Sequence, residues 1–197
     1  SLLVGCGAAA VPVPPPTADV PSGATPAPIG IVCPESLAPA IRAAAAAYQR
    51  DHAAVEMVVL ARANSLALRA VDQGDADLAI LTWLPESLPE AAWIRPVSRD
   101  GLAVVVHPQN GLPDVTMTQL QDLFQGRLED WALWGGLPGP PQLVSRETAS
   151  GDFAFFQAWV MRDTRVSLNA LLAPSTEAVL SSVAEEPLAI GYLSTAW

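Results

Sequence analysis

The chain has 197 residues, 51% of them hydrophobic and 15% charged, with a formal net charge of −10. That is enough apolar mass for one large domain or two small lobes, and the negative balance argues against nucleic acid or an anionic membrane surface as partner. Every basic residue is an arginine and no apolar run approaches the ~20 residues of a membrane span, which excludes Schiff-base chemistry, a phosphate-loop lysine and a spanning helix.

The chain opens with Ser1-Leu2-Leu3-Val4-Gly5-Cys6, which reads as the tail of a hydrophobic signal segment over residues 1–5. Leu3-Val4-Gly5-Cys6 is similar to the bacterial lipobox, whose cysteine becomes the lipidated first residue; the alternative is an apolar terminus with a chance cysteine. Residues 6–28 form the expected lipid anchor and linker. Pro12, Pro14, Pro15, Pro16, Pro21, Pro26 and Pro28 make this an extended, semi-rigid spacer. Lipidation of Cys6 leaves Cys33 as a free, buried thiol.

From Ile29 onward strands and helices alternate. Residues 29–33 read as a strand, and Ser36 as the cap of an Ala-rich helix reaching Arg50. Residues 55–60 are a second strand. Asn64-Ser65 opens a helix that stops at Gly74, and 77–81 is an apolar third strand. Strands are expected at 92–97 and 102–107. Thr116 or Thr118 caps a helix carrying Leu120, Leu123 and Phe124, and a helical turn lies at 131–134. A strand runs from Gln142 to Arg146, a helix opens at Ser150, a further segment lies near 166–172, a helix spans about 176–184 and a strand spans 188–192. The alternation implies an α/β fold with open, mostly parallel sheets, which bind ligands at the strand carboxyl ends.

Arg146 falls at such an end, just before Ser150-Gly151 opens a helix. A helix start offers unpaired N–H groups and positive potential, and a guanidinium adds a planar charged fork, so the combination suits an oxyanion. The alternative is an ordinary Ser-capped helix after a surface arginine. Ser36, Ser65 and Thr82 also follow strands, and Trp83 beside Thr82 is placed in the cleft. Trp131, Trp134 and Trp159 are read as core. His52 and His107 read as structural or solvated, and no metal-ligand spacing is present, so neither a metal nor another cofactor is expected.

Several fragments together resemble the substrate-binding proteins of phosphate ABC transporters, which have the type II periplasmic-binding-protein fold. Pro34-Glu35-Ser36-Leu37 stands where that family has its first phosphate loop, and Asn64-Ser65 where a Gly-Ser pair opens the second helix. Gly74-Asp75-Ala76-Asp77-Leu78-Ala79 is similar to G-x-A-D-I-G, and residues 102–110 to the crossover strand. Residues 116–134 resemble the family's second-lobe helix and its following Trp, Arg146 with Ser150-Gly151 the R-x-x-x-S-G-T clamp, and Ala189-Ile190-Gly191-Tyr192 the A-I-G-Y strand. The resemblance implies two α/β lobes, 29–100 and 101–197, closing on a hinge around a buried anion. It implies hydroxyl donors at Ser36, Ser65 and Ser150, backbone donors near Leu37 and Gly151, and the charged fork of Arg146, while Thr82, a further candidate ligand residue, stands where the family commonly has an acceptor carboxylate. It further implies an extracytoplasmic, lipid-anchored, monomeric protein that is not an enzyme and that hands inorganic phosphate or a related oxyanion to ABC permease subunits, without nucleic acid.

Two departures stand out. The threonine after Ser-Gly is Asp152 here. It either accepts a proton from a protonated oxyanion such as hydrogen phosphate or only complements the helix dipole. The family's return to lobe one after the Gly-Tyr strand is also absent, so the sequence is a fragment or lobe one is minimal, with apolar surface exposed. Two other classes compete with transport: a sensory or scaffold lipoprotein with altered or lost binding, and a surface phosphate-ester hydrolase. The hydrolase lacks a Gly-x-Ser-x-Gly elbow or a His beside a candidate nucleophile. The anchor is tested by mass spectrometry in the native host: an acylated Cys6 peptide with globomycin-sensitive processing is expected, and an unmodified Cys6 removes it.

Overall fold

The computed structural model describes residues 27–85, 87–88, 92–112 and 114–195. The signal remnant, Cys6 and the linker up to residue 26 lie outside the described residues, as does Trp197. Two α/β layers follow one another along the chain, as the alternation predicts.

The first lobe is built on strand β1 (Ile29–Cys33), flanked by β2 (Met57–Ala61) and β3 (Leu78–Ala79) in the order β2-β1-β3, all parallel. Helix α1 (Ala38–Asp51) packs on β2, and α2 (Asn64–Asp72) on β1 and β3. Ser36 does not cap α1. It lies inside a short 3-10 turn, Glu35–Leu37, and α1 starts one residue later with Pro39 in its first turn, where the missing N–H costs nothing. Cys33 is buried and free at the end of β1, where burial raises its thiol pKa.

The strand expected at 92–97 does not form. Residues 92–100 are irregular, and Trp93 and Val97 are largely solvent-exposed. Pro96 has no N–H to give to a ladder, and among the described residues this segment pairs with no strand. The segment instead carries the chain to the second lobe. Asp100 ends it by accepting hydrogen bonds from Ser194 Oγ at 2.6 Å and Thr195 Oγ1 at 2.9 Å.

The second sheet has the order β4-β7-β5-β6, from β4 (Leu102–Val106), β5 (Gln142–Arg146), β6 (Leu171–Ala173) and β7 (Ala189–Ser194). It is mixed: β4 runs antiparallel to β7 while β5 runs parallel to both β7 and β6. Thr116, not Thr118, caps α3 (Met117–Phe124), in a capping box with Gln119. Ser150 caps α4 (Gly151–Phe156), which continues as a wider π-type turn over Gln157–Met161. Helix α5 (Thr176–Glu185) is capped by Ser175.

Strand alternation splits the core of this lobe into two faces. Leu143, Ile190 and Tyr192 point toward α3 and α4, packing with Leu123, Phe124, Trp131 and Phe156. Val144, Ala189 and Leu193 point the other way, onto Val179 and Val183 of α5. Trp131 is fully buried, but Trp159 is 60% exposed, contrary to its reading as core. The buried stripe of this helical segment runs through Phe156 and Val160; Trp159 lies off it and stacks on the half-buried Phe155. The first lobe is less well covered: Val58, Leu60, Leu66 and Leu78 are all exposed, matching the expected apolar surface.

Gly191 lets α5 lie close on β7. A Cβ there would sit 2.6 Å from Val179 Cγ1 and 3.4 Å from Val183 Cγ2, and β-branched side chains have little rotamer freedom to yield. Gly191→Ala should therefore destabilise the fold by about 1–3 kcal/mol in urea denaturation, the cost of overpacking a filled core.

Candidate functional site

Four strand ends converge on one cavity of about 230 Å³ between the lobes. Pro34, Glu35 and Ser36 follow β1; Ala61, Arg62 and Ala63 end and follow β2; Arg146, Glu147, Ser150 and Gly151 come from the end of β5 and the start of α4; Pro174 follows β6. This is the carboxyl-end placement expected of open α/β sheets.

Arg146 forms the floor. It is only 6% exposed, held by the pairing of β5 with β6 and by Tyr192, whose hydroxyl oxygen accepts the Arg146 backbone N–H at 3.3 Å. The same hydroxyl meets Ser145 Oγ at 2.8 Å, and the Tyr192 ring stacks on Phe156 at 3.9 Å. Burial, the first cause, pushes the Tyr192 phenol up, so it remains a neutral hydrogen-bonding post. The guanidinium donates from Nη1 to Thr176 Oγ1 at 3.0 Å and from Nη2 to the Pro174 carbonyl at 3.5 Å. Its Nε–H is buried with no hydrogen-bond partner. Leaving a buried charged donor unmatched costs several kcal/mol unless something supplies an acceptor.

Ser150 accepts the Phe153 N–H at 3.0 Å through Oγ, which fixes the hydroxyl while leaving its own proton available to donate. Gly151 is buried against the first lobe. A Cβ there would overlap Thr82 Oγ1 and come within 3.2 Å of Asn64 Oδ1, so only glycine lets the two lobes meet at this point. Asp152 is 5% exposed. Burial raises its pKa above the ordinary carboxyl value; the Arg146 charge opposes that, Asp100 and Glu35 add to it, and a hydrogen bond from the Ser194 backbone again opposes it.

The sequence-derived residues are thus partly gathered. Ser36, Arg146, Ser150, Gly151 and Asp152 line one cavity. Three do not. Ser65 is exposed and lines a separate depression with Leu68, Arg69 and Asp72; its neighbour Asn64 is the buried one. Leu37 gives its backbone N–H to the Pro34 carbonyl at 3.1 Å, closing the 3-10 turn, so that donor is already used. Thr82 donates its N–H to Asn64 Oδ1 at 2.9 Å and abuts Gly151 outside the cavity lining. Trp83 meets Phe155 edge-on at 6.0 Å, which places it across the lobe contact, and its carbonyl accepts from Asn64 Nδ2 at 2.7 Å.

Glu35 and Thr176 are the residues that sequence reasoning missed. Thr176 is fully buried at the first turn of α5 and touches both Arg146 and Glu35. The signal for it was Ser175-Thr176 opening a helix after a strand, the pattern already recognised at Ser150. Glu35 lay inside the loop read as an anion cradle, where a carboxylate is out of character. Among the described residues no group of three His, Cys, Asp or Glu is placed to hold a metal ion.

The comparisons bear on this geometry. Residues 19–197 match the PBP superfamily domain. The phosphate-binding protein PstS of Bacillus subtilis is 25% identical over 163 residues, covering 81% of this chain and 54% of that protein. PstS of Pseudomonas aeruginosa is 29% identical over 168 residues, covering 74% of this chain and 51% of that protein. The chain spans about half the length of these curated relatives. Among solved structures, an ABC-type phosphate transport receptor from Vibrio cholerae superposes with a TM-score of 0.69 at 26% identity, over 84% of this chain and 70% of that one.

The raised pKa of Asp152 has a consequence for stability. The folded protein holds this proton more tightly than the unfolded chain, whose carboxyl titrates near ~3.9. As pH rises from there through the higher folded value, ionising the buried group removes stability. Asp152→Asn should match wild type at the acid end of that window and become the more stable of the two as pH rises, in urea denaturation without phosphate.

Proposed function

We propose, from the premise that this chain belongs to the PBP superfamily, that it is a solute-binding protein and not an enzyme, and that it captures phosphate or a related oxyanion between its lobes. The observation that carries the reading is the buried Arg146 guanidinium with an unmatched Nε–H, facing a cavity beside the capped start of α4. A buried donor of this kind needs an acceptor, and an oxyanion supplies several in a compact shape. Support also comes from the relatives named as phosphate-binding proteins.

In this reading Ser36 and Ser150 donate hydroxyl protons, the α4 start at Gly151 contributes its N–H groups and dipole, and Arg146 supplies charge. Asp152 accepts a hydrogen bond from a protonated ligand oxygen. The ligand's proton lets a carboxylate sit beside an anion, and sulfate carries none at neutral pH. Closure of the hinge removes water from the anion and completes its hydrogen bonds. The protein works outside the cytoplasm, anchored through a lipid on Cys6 as a monomer, and delivers the anion to ABC permease subunits. A sensory or scaffold role on the same fold is the second reading. It is favoured by one observation: the acids Glu35, Glu147 and Asp152 outnumber the arginines Arg62 and Arg146 around the cavity.

Isothermal titration with inorganic phosphate and with sulfate tests the assignment. Arg146→Met should weaken phosphate binding about 10- to 100-fold, the loss of one or more charge-assisted hydrogen bonds. Asp152→Asn should weaken phosphate and improve sulfate. A mutant that binds phosphate no worse and sulfate no better removes the acceptor role, and a wild type that binds neither anion favours the second reading.

A further inference from the structure

Glu35 belongs to the 3-10 turn after β1, in the first lobe, and Thr176 begins α5 in the second. Across the cleft, one carboxylate oxygen of Glu35 gathers three donors. Oε2 accepts the Thr176 backbone N–H at 3.3 Å and the Thr176 hydroxyl at 3.5 Å, and lies 3.6 Å from Arg146 Nη2. A helix-start N–H, a hydroxyl and a guanidinium are the donor types that would hold an oxyanion oxygen.

The grip is loose. Charge-assisted contacts of this kind normally close to about 2.7–2.9 Å, and all three here are longer. The Glu35 side chain is 33% exposed whereas that of Arg146 is 7% exposed, so the carboxylate has water to return to and the guanidinium does not. Other donors are left untouched by Glu35: the Ser150 hydroxyl proton beside the cavity, and the buried Arg146 Nε. The arrangement therefore holds the cationic floor partly neutralised without filling it.

We propose that Glu35 is a resident counter-anion: its carboxylate occupies the Arg146–Thr176 donors, and an incoming oxyanion competes with it for them. This rests on the reading of the cavity as an oxyanion site. Glu35 thereby sets affinity from outside the ligand's own contact set, and Thr176 acts as a positioning residue that presents Arg146 Nη1. A displaced Glu35 stays near the bound anion and repels it, which lowers affinity further.

Two measurements on the full chain test the proposal. In titrations with inorganic phosphate, Glu35→Gln should bind about three- to fivefold more tightly than wild type, the range of a screened surface charge interaction. In ligand-free protein, site-resolved amide hydrogen exchange at Thr176 should accelerate several-fold in Glu35→Ala, because its acceptor is gone. Unchanged or weaker phosphate binding by Glu35→Gln overturns the proposal, as does unchanged Thr176 exchange in Glu35→Ala. If neither wild type nor Glu35→Gln binds phosphate, the oxyanion reading fails on its own account, and the exchange result alone decides whether Glu35 holds the Thr176 donor.

Discussion

A buried guanidinium at the carboxyl end of a strand is the constraint around which the second lobe is arranged. Arg146 cannot shed its charge, and each of its donors must be matched or left costly. The protein matches Nη1 with Thr176 and Nη2 with Pro174 and, across the cleft, Glu35. It leaves Nε unmatched. In the proposed reading, that unmatched donor is one an oxyanion would satisfy. The rest of the lobe holds the strand end still: Tyr192 takes the Arg146 N–H, and Phe156 and Phe124 hold the Tyr192 ring by stacking and edge contact.

For the proposed oxyanion site the electrostatics are unusual. The chain carries a net charge of −10, and the cavity itself has more acids than arginines. Long-range steering therefore works against an anionic ligand, and capture depends on donors that act over a few ångströms in a partly desolvated space. Asp152 fits this logic. Its raised pKa shows how poorly the surroundings tolerate another negative charge, although Arg146 lies close by. Under the proposed function, such a site would favour discrimination by the protonation state of the ligand over tight binding of any dianion.

The two lobes meet at a few specific points. Thr82 against Gly151, Trp83 against Phe155 and Glu35 against Thr176 bring loops of the first lobe onto helices α4 and α5 of the second. Asn64 organises one side of this contact by holding both Thr82 and the Trp83 carbonyl. The two described hydrophobic clusters lie in the second lobe, whereas the first exposes Val58, Leu60, Leu66 and Leu78. The lobe that carries the arginine is thus the better packed one.

Much of this was written in local pattern. The order of strands and helices, the Ser150 cap, the strand ending at Arg146 and the buried Cys33 follow from hydrophobic periodicity and helix-start chemistry, which act over a few residues. Local pattern misled where a partner decides the outcome. Residues 92–97 have strand-like composition but pair with no described strand, Trp159 has helical spacing but lies one position off the buried stripe, and Ser65 opens a helix while its neighbour Asn64 turns inward. The contact between Glu35 and Thr176 spans 141 positions and was invisible to any window along the chain. The sequence by itself determined the α/β alternation and the arginine at a helix start. Only the tertiary structure decided which loops face that arginine, because convergence of strand ends depends on sheet order and lobe packing rather than on nearest neighbours.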